Sequence, residues 1–60
     1  MSTEEFYVYD NVRDQWLQDD ERSFGTFEGR AIFTEQELAA DIAKREARGR
    51  TGLIVLSQRI

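Results

Sequence analysis

Sixty residues without histidine or cysteine leave no imidazole base, no thiolate nucleophile, none of the commonest soft-metal ligands and no disulfide to staple a small secreted fold. One domain with a single small core is expected at this length, and 40% hydrophobic residues with seven aromatics are too many for a disordered acidic tail. The formal charge of −4 opposes a phosphate backbone, which argues against direct nucleic-acid binding.

Phe6-Tyr7-Val8-Tyr9 is an aromatic and β-branched run closed by Asp10-Asn11, and Gln15-Trp16-Leu17-Gln18 follows it after a short polar stretch. The two segments predict a hairpin with Asn11 to Asp14 as its loop, Tyr9 opposite Trp16 and Asp10 opposite Gln15. A period of two then divides it into a face of Phe6, Val8 and Leu17 and a face of Tyr7, Tyr9 and Trp16. Both are apolar enough to pack. A one-residue slip would exchange them, so either Tyr7, Tyr9 and Trp16 face outward or they lie in a second layer under Phe24 and Phe27.

Asp19 to Gly29 reads as a loop, with three adjacent acids, two glycines and Phe24 and Phe27 as anchors. Arg30 to Phe33 predicts a third strand. Thr34-Glu35-Gln36-Glu37 matches a capping box with Thr34 as N-cap, and Phe33 and Leu38 are spaced for a hydrophobic staple. The helix so begun carries Leu38, Ala39, Ile42 and Ala43 on one face and should run about 14 residues to a left-handed Gly49. Leu53 to Leu56 is an uninterrupted apolar run, expected in the middle of the sheet. The fold class is therefore α+β, in the order β-β-β-α-β, with a single helix packed on a sheet of about four mostly antiparallel strands.

The charges are segregated. Met1 to Asp41 holds eleven acids against three arginines, whereas Ile42 to Ile60 holds five bases against one acid. Lys44, Arg45, Arg48 and Arg50 stand near the end of the helix, where cations complement its dipole and pair with acids such as Asp41 and Glu46. The acidic hairpin and loop have no such local explanation. Glu4, Glu5, Asp10, Asp14, Asp19, Asp20, Glu21 and Glu28 are set there against Arg13 and Arg22, and carboxylates spread along a rigid edge can steer a domain onto a basic groove. The glycines match no phosphate-binding pattern. A calcium loop counted from Asp10 fails at Val12 and Gln15, and no cofactor or metal is expected. Met-Ser-Thr-Glu-Glu is unlike a signal peptide, and no apolar run approaches the roughly 20 residues of a membrane span, so a cytoplasmic protein is expected.

In its size, its lack of cysteine, its strand-rich small fold and its acidic strand-loop region, the chain resembles the small inhibitors encoded by phages and mobile elements, among them anti-CRISPR proteins that act as DNA mimics. That resemblance implies a non-enzymatic inhibitor seated on a CRISPR effector subunit where DNA should bind. The residues themselves point to an acidic protein-binding module whose partner is a basic nucleic-acid-binding protein. Asp14, Asp19, Asp20, Glu21 and Glu28 are its candidate contacts, with Tyr9 or Trp16 as anchor. The alternative is a small structural or accessory subunit that self-associates or docks through its aromatic sheet face. Either a monomer or a weak homodimer fits the sequence.

Overall fold

The computed structural model describes residues 3–59. It contains β1 (Glu4–Asp10), β2 (Gln15–Leu17), β3 (Phe24–Gly25), α1 (Gln36–Glu46) and β4 (Leu53–Arg59). The strands form one antiparallel sheet in the order β3-β2-β1-β4, with the helix on one side. The hairpin register is the one the sequence predicts: Tyr9 pairs with Trp16 and Asp10 with Gln15.

The pleat of β1 organises everything else. Phe6 and Val8 turn to the helix side, where Val8, Leu17, Ala31, Phe33, Ala39 and Ile42 form the core. Ala39, fully buried, lets the helix approach the sheet closely, and Phe6, Phe24, Leu53 and Val55 pack around the margin. Tyr7 and Tyr9 turn to the opposite side.

Four local expectations are corrected. Arg30–Phe33 is not the third strand: it changes partner midway, with Arg30 bridging to Gln18 and Phe33 to Phe6, so no ladder can run. The third strand is Phe24–Gly25, brought beside β2 by a turn in which Gln18 N donates to Ser23 O at 2.9 Å. Phe24 therefore packs against the core, and of the two anchors it is Phe27 that covers the aromatic side.

The capping box does not form. Glu35 is the N-cap residue and no side chain caps the helix, while Leu38 is 49% exposed and cannot staple the turn. The helix is 11 residues long and ends through a right-handed Ala47. The left-handed glycine among the described residues is not Gly49 but Gly52, at φ 85°, well past the helix, where the chain turns into β4 and Gly52 O accepts from Asn11 N. Finally, β4 lies at the edge of the sheet, because the other side of β1 is occupied by β2 and, further along, by Phe33. Its apolar run is explained by two part-covered faces: Leu53 and Val55 on the helix side, and Ile54 and Leu56, paired with Tyr9 and Tyr7, on the other.

Candidate functional site

The side of the sheet away from the helix carries a connected aromatic layer. Trp16 is its hub, with ring centroids 4.6 Å from Tyr9, 6.1 Å from Tyr7 in an edge contact, and 5.1 Å from Phe27, also edge-on. Such offset and edge geometries are the favoured ones for aromatic pairs. Arg30 lies among them, its guanidinium carbon 3.8 Å from the Phe27 centroid and 4.7 Å from that of Tyr7, the stacking arrangement that suits a planar cation. Its Nη1 donates to Phe27 O, and its buried Nε has no hydrogen-bond partner.

Gln18 positions the Phe27 segment. Its amide nitrogen donates to Trp16 O at 2.9 Å and Thr26 O at 2.8 Å, locking the segment across β2. A Cβ on Gly29 would press on that amide and oblige it to shift.

The layer is half covered. Tyr7 is 3% exposed, yet Phe27 is 47%, Ile32 52% and Ile54 39% exposed. Ile32 sits between buried Ala31 and Phe33, so alternation along the extended chain turns it to this same side. Phe27, Ile32 and Ile54 are thus apolar side chains left open to solvent on this side of the sheet. Carboxylates stand at both ends of it. Tyr7 donates its hydroxyl to Glu5 at 2.7 Å and Tyr9 donates to Asp14, and the Asp14 bond raises the Tyr9 pKa above its ordinary value.

The sequence-predicted contact residues fall into two groups. Tyr9, Trp16 and Asp14 belong to the aromatic face, and Glu28 follows Phe27 directly at its margin. Asp19, Asp20 and Glu21 lie instead in the turn between β2 and β3; Arg45 Nη2 donates to Glu21 O at 2.9 Å, which sets Glu21 near the end of the helix, while Asp19 N donates to Gly29 O. Asp20 has a structural task, accepting from the Arg22 and Ser23 N–H groups and the Ser23 hydroxyl. These bonds, led by those from the Ser23 and Arg22 amides, lower its pKa. Asp10 is likewise absorbed into the fold, both of its oxygens being engaged.

The basic end is partly spoken for. Arg50 pairs with Asp10 and lies over Phe24, and Arg45 pairs with Glu46. Arg30, Ile32 and Ile54 are members of the aromatic face that no local sequence pattern marks, since the pairing of Gln18 with Arg30 and of Tyr9 with Ile54 brings them there, whereas Phe27 is the loop anchor that the sequence sets over that face. Among the described residues no group of three or more carboxylates is placed to hold a metal ion, and no helix is long and apolar enough to cross a membrane. No protein-family model, curated protein or solved structure matches the chain.

Proposed function

We propose that this chain is a non-enzymatic binding module that docks its aromatic sheet face on a basic protein surface, the nucleic-acid-binding groove of a cytoplasmic protein, and so inhibits it. The observation that carries the reading is the half-covered layer of Tyr9, Trp16 and Phe27 with Glu5 and Asp14 at its two ends. A rigid Trp and Tyr patch supplies the desolvated centre of a hot spot, while the carboxylates steer approach and select a cationic rim. Asp19, Glu21 and Glu28 add to the same negative field from the loops. A CRISPR effector subunit is the case to which the family resemblance points.

The test is competition. A partner captured from the source cell should release bound DNA when the chain is added. Trp16→Ala should weaken that effect by about a hundredfold, in line with the loss of a hot-spot aromatic. Neutralising Glu5 and Asp14 together, as Glu5→Gln and Asp14→Asn, should slow association and flatten its salt dependence. Full competition by both variants refutes the reading. A second reading, an accessory subunit that docks through the same face without regard to charge, is favoured by exposed Ile32 and Ile54. It requires binding that is insensitive both to salt and to the two neutralised acids.

A further inference from the structure

Strand β4 has the sequence of a central strand at the edge of the sheet. Its side away from β1 has no strand neighbour among the described residues, and none of its residues is fully buried, the apolar run Leu53 to Leu56 included. The ladder to β1 runs from Glu4 and Arg59 to Asp10 and Leu53 without a skipped residue, so no bulge twists the edge away. Neither lysine nor proline occurs in β4, although these residues commonly keep such edges from pairing.

The outward backbone groups can be assigned. Asn11 N donates to Gly52 O in register with the ladder. Antiparallel alternation then makes Tyr9–Ile54 and Tyr7–Leu56 hydrogen-bonded pairs and leaves Val8–Val55 and Phe6–Ser57 without mutual bonds. Phe6 agrees, since its N–H and C=O bond Phe33 on the other side of β1. Leu53, Val55 and Ser57 accordingly direct their N–H and C=O groups away from the sheet.

We infer that this edge pairs with a second copy of the chain, β4 against β4, antiparallel about a two-fold axis at Val55. A two-fold register that keeps helix side with helix side must pair residues of the same parity. Centred on Val55, it sets Val55 opposite Val55, Ile54 opposite Leu56 and Leu53 opposite Ser57. Centred on Leu56, it would oppose Ile54 to Gln58 and Leu53 to Arg59. Centred on Ile54, it would run Leu56 into Gly52 and shorten the ladder. All three give the outward residues reciprocal hydrogen bonds, as Leu53, Val55 and Ser57 have in the first, but only the first gathers the apolar residues together. The strand's one charge, Arg59, then lies at opposite ends in the two copies, so like charges do not meet. Both layers continue across the axis, with helices on one side and the aromatic faces, linked by Ile54 and Leu56, on the other. The whole surface is 4337 Å², and one strand edge covers less than the roughly 800 Å² per partner of a standard interface, which makes the dimer concentration-dependent. The inference uses the edge and is independent of what the aromatic face binds.

Sedimentation equilibrium of the full chain up to about 1 mM, with amide exchange followed over the same range, tests it. A reversible dimer is expected, with exchange at the Val55 and Ser57 amides slowing as concentration rises. Ser57→Pro removes an N–H that the β1 ladder does not use and should weaken the dimer at least about tenfold, while Ser57→Ala stays within about twofold. Should Ser57→Pro fail to fold, the exchange measurement on the unaltered chain decides. A monomer at the highest concentration, or a dimer in which Val55 and Ser57 exchange at a rate independent of concentration, overturns the inference.

Discussion

Arg50 reaches back forty residues to hold Asp10, with Nη1 2.9 Å from Oδ2. Asp10 is fully buried at the end of β1, and its other oxygen accepts the backbone N–H groups of Val12 and Arg13 at 3.0 Å each. Arg13 Nη1 adds a further bond at 3.1 Å. One carboxylate thus closes the β1–β2 turn and ties it to the segment between α1 and β4.

This carboxylate should dominate the response to acid. Burial by itself would raise the Asp10 pKa, but the bonds from Arg50 and from Arg13 and Val12 outweigh it and lower the group to about 2. A folded-state value below the unfolded one contributes stability that is present above the ordinary carboxylate range and lost as pH falls toward 2. Thermal melts followed by circular dichroism should show a midpoint that is flat near neutrality and falls steeply below about pH 4. Asp10→Asn should lower the neutral midpoint more than neutralising any other acid does, and should remove most of the acid slope.

The Tyr9 hydroxyl reports on the aromatic face. Its pKa is raised chiefly by the hydrogen bond to Asp14, with desolvation and the Asp14 charge adding to it. Absorbance titration of Asp14→Asn should show one tyrosine titrating at lower pH than in the unaltered chain. Asn tolerates the positive φ of 56° at this position, so the folded fraction at neutral pH should hardly change.

Two glycines should respond in opposite directions. Gly52 has a φ of 85°, and a Cβ there would run into the side chains of Val12 and Asn11, so Gly52→Ala should cost about 1–3 kcal/mol in urea unfolding. Gly49 lies outside the left-handed region and has nothing within 4 Å of a would-be Cβ. Gly49→Ala should leave stability unchanged or raise it by up to about 1 kcal/mol.

Thr34 supplies a sharper contrast with the sequence motif around it. A working N-cap threonine is worth about 1 kcal/mol, but Thr34 precedes the N-cap residue Glu35 and no side chain caps α1. Thr34→Ala should therefore change the urea midpoint by less than about 0.5 kcal/mol equivalent.

The residues by themselves determined what depends on neighbours in the chain. Alternation and turn chemistry gave the hairpin with Tyr9 opposite Trp16, and apolar spacing gave a single helix buried through Ala39 and Ile42. The contact set was legible in part: Tyr9, Trp16 and Asp14 meet on one face, but Asp19, Asp20 and Glu21 lie in a separate turn, closed where Ser23 returns to Gln18, with Glu21 against the helix end. Tertiary structure alone decided the rest. Whether Leu53 to Leu56 becomes a central or an edge strand depends on which side of β1 is already taken, and β2 and Phe33 take it. Whether Tyr7, Tyr9 and Trp16 are covered depends on a loop arriving from elsewhere: with Phe27 and Arg30 against the layer Tyr7 is buried, while Tyr9 and Trp16 are covered only in part. Local propensity acts over a few residues, whereas competition for one strand's hydrogen-bonding edge is settled among segments far apart in the chain.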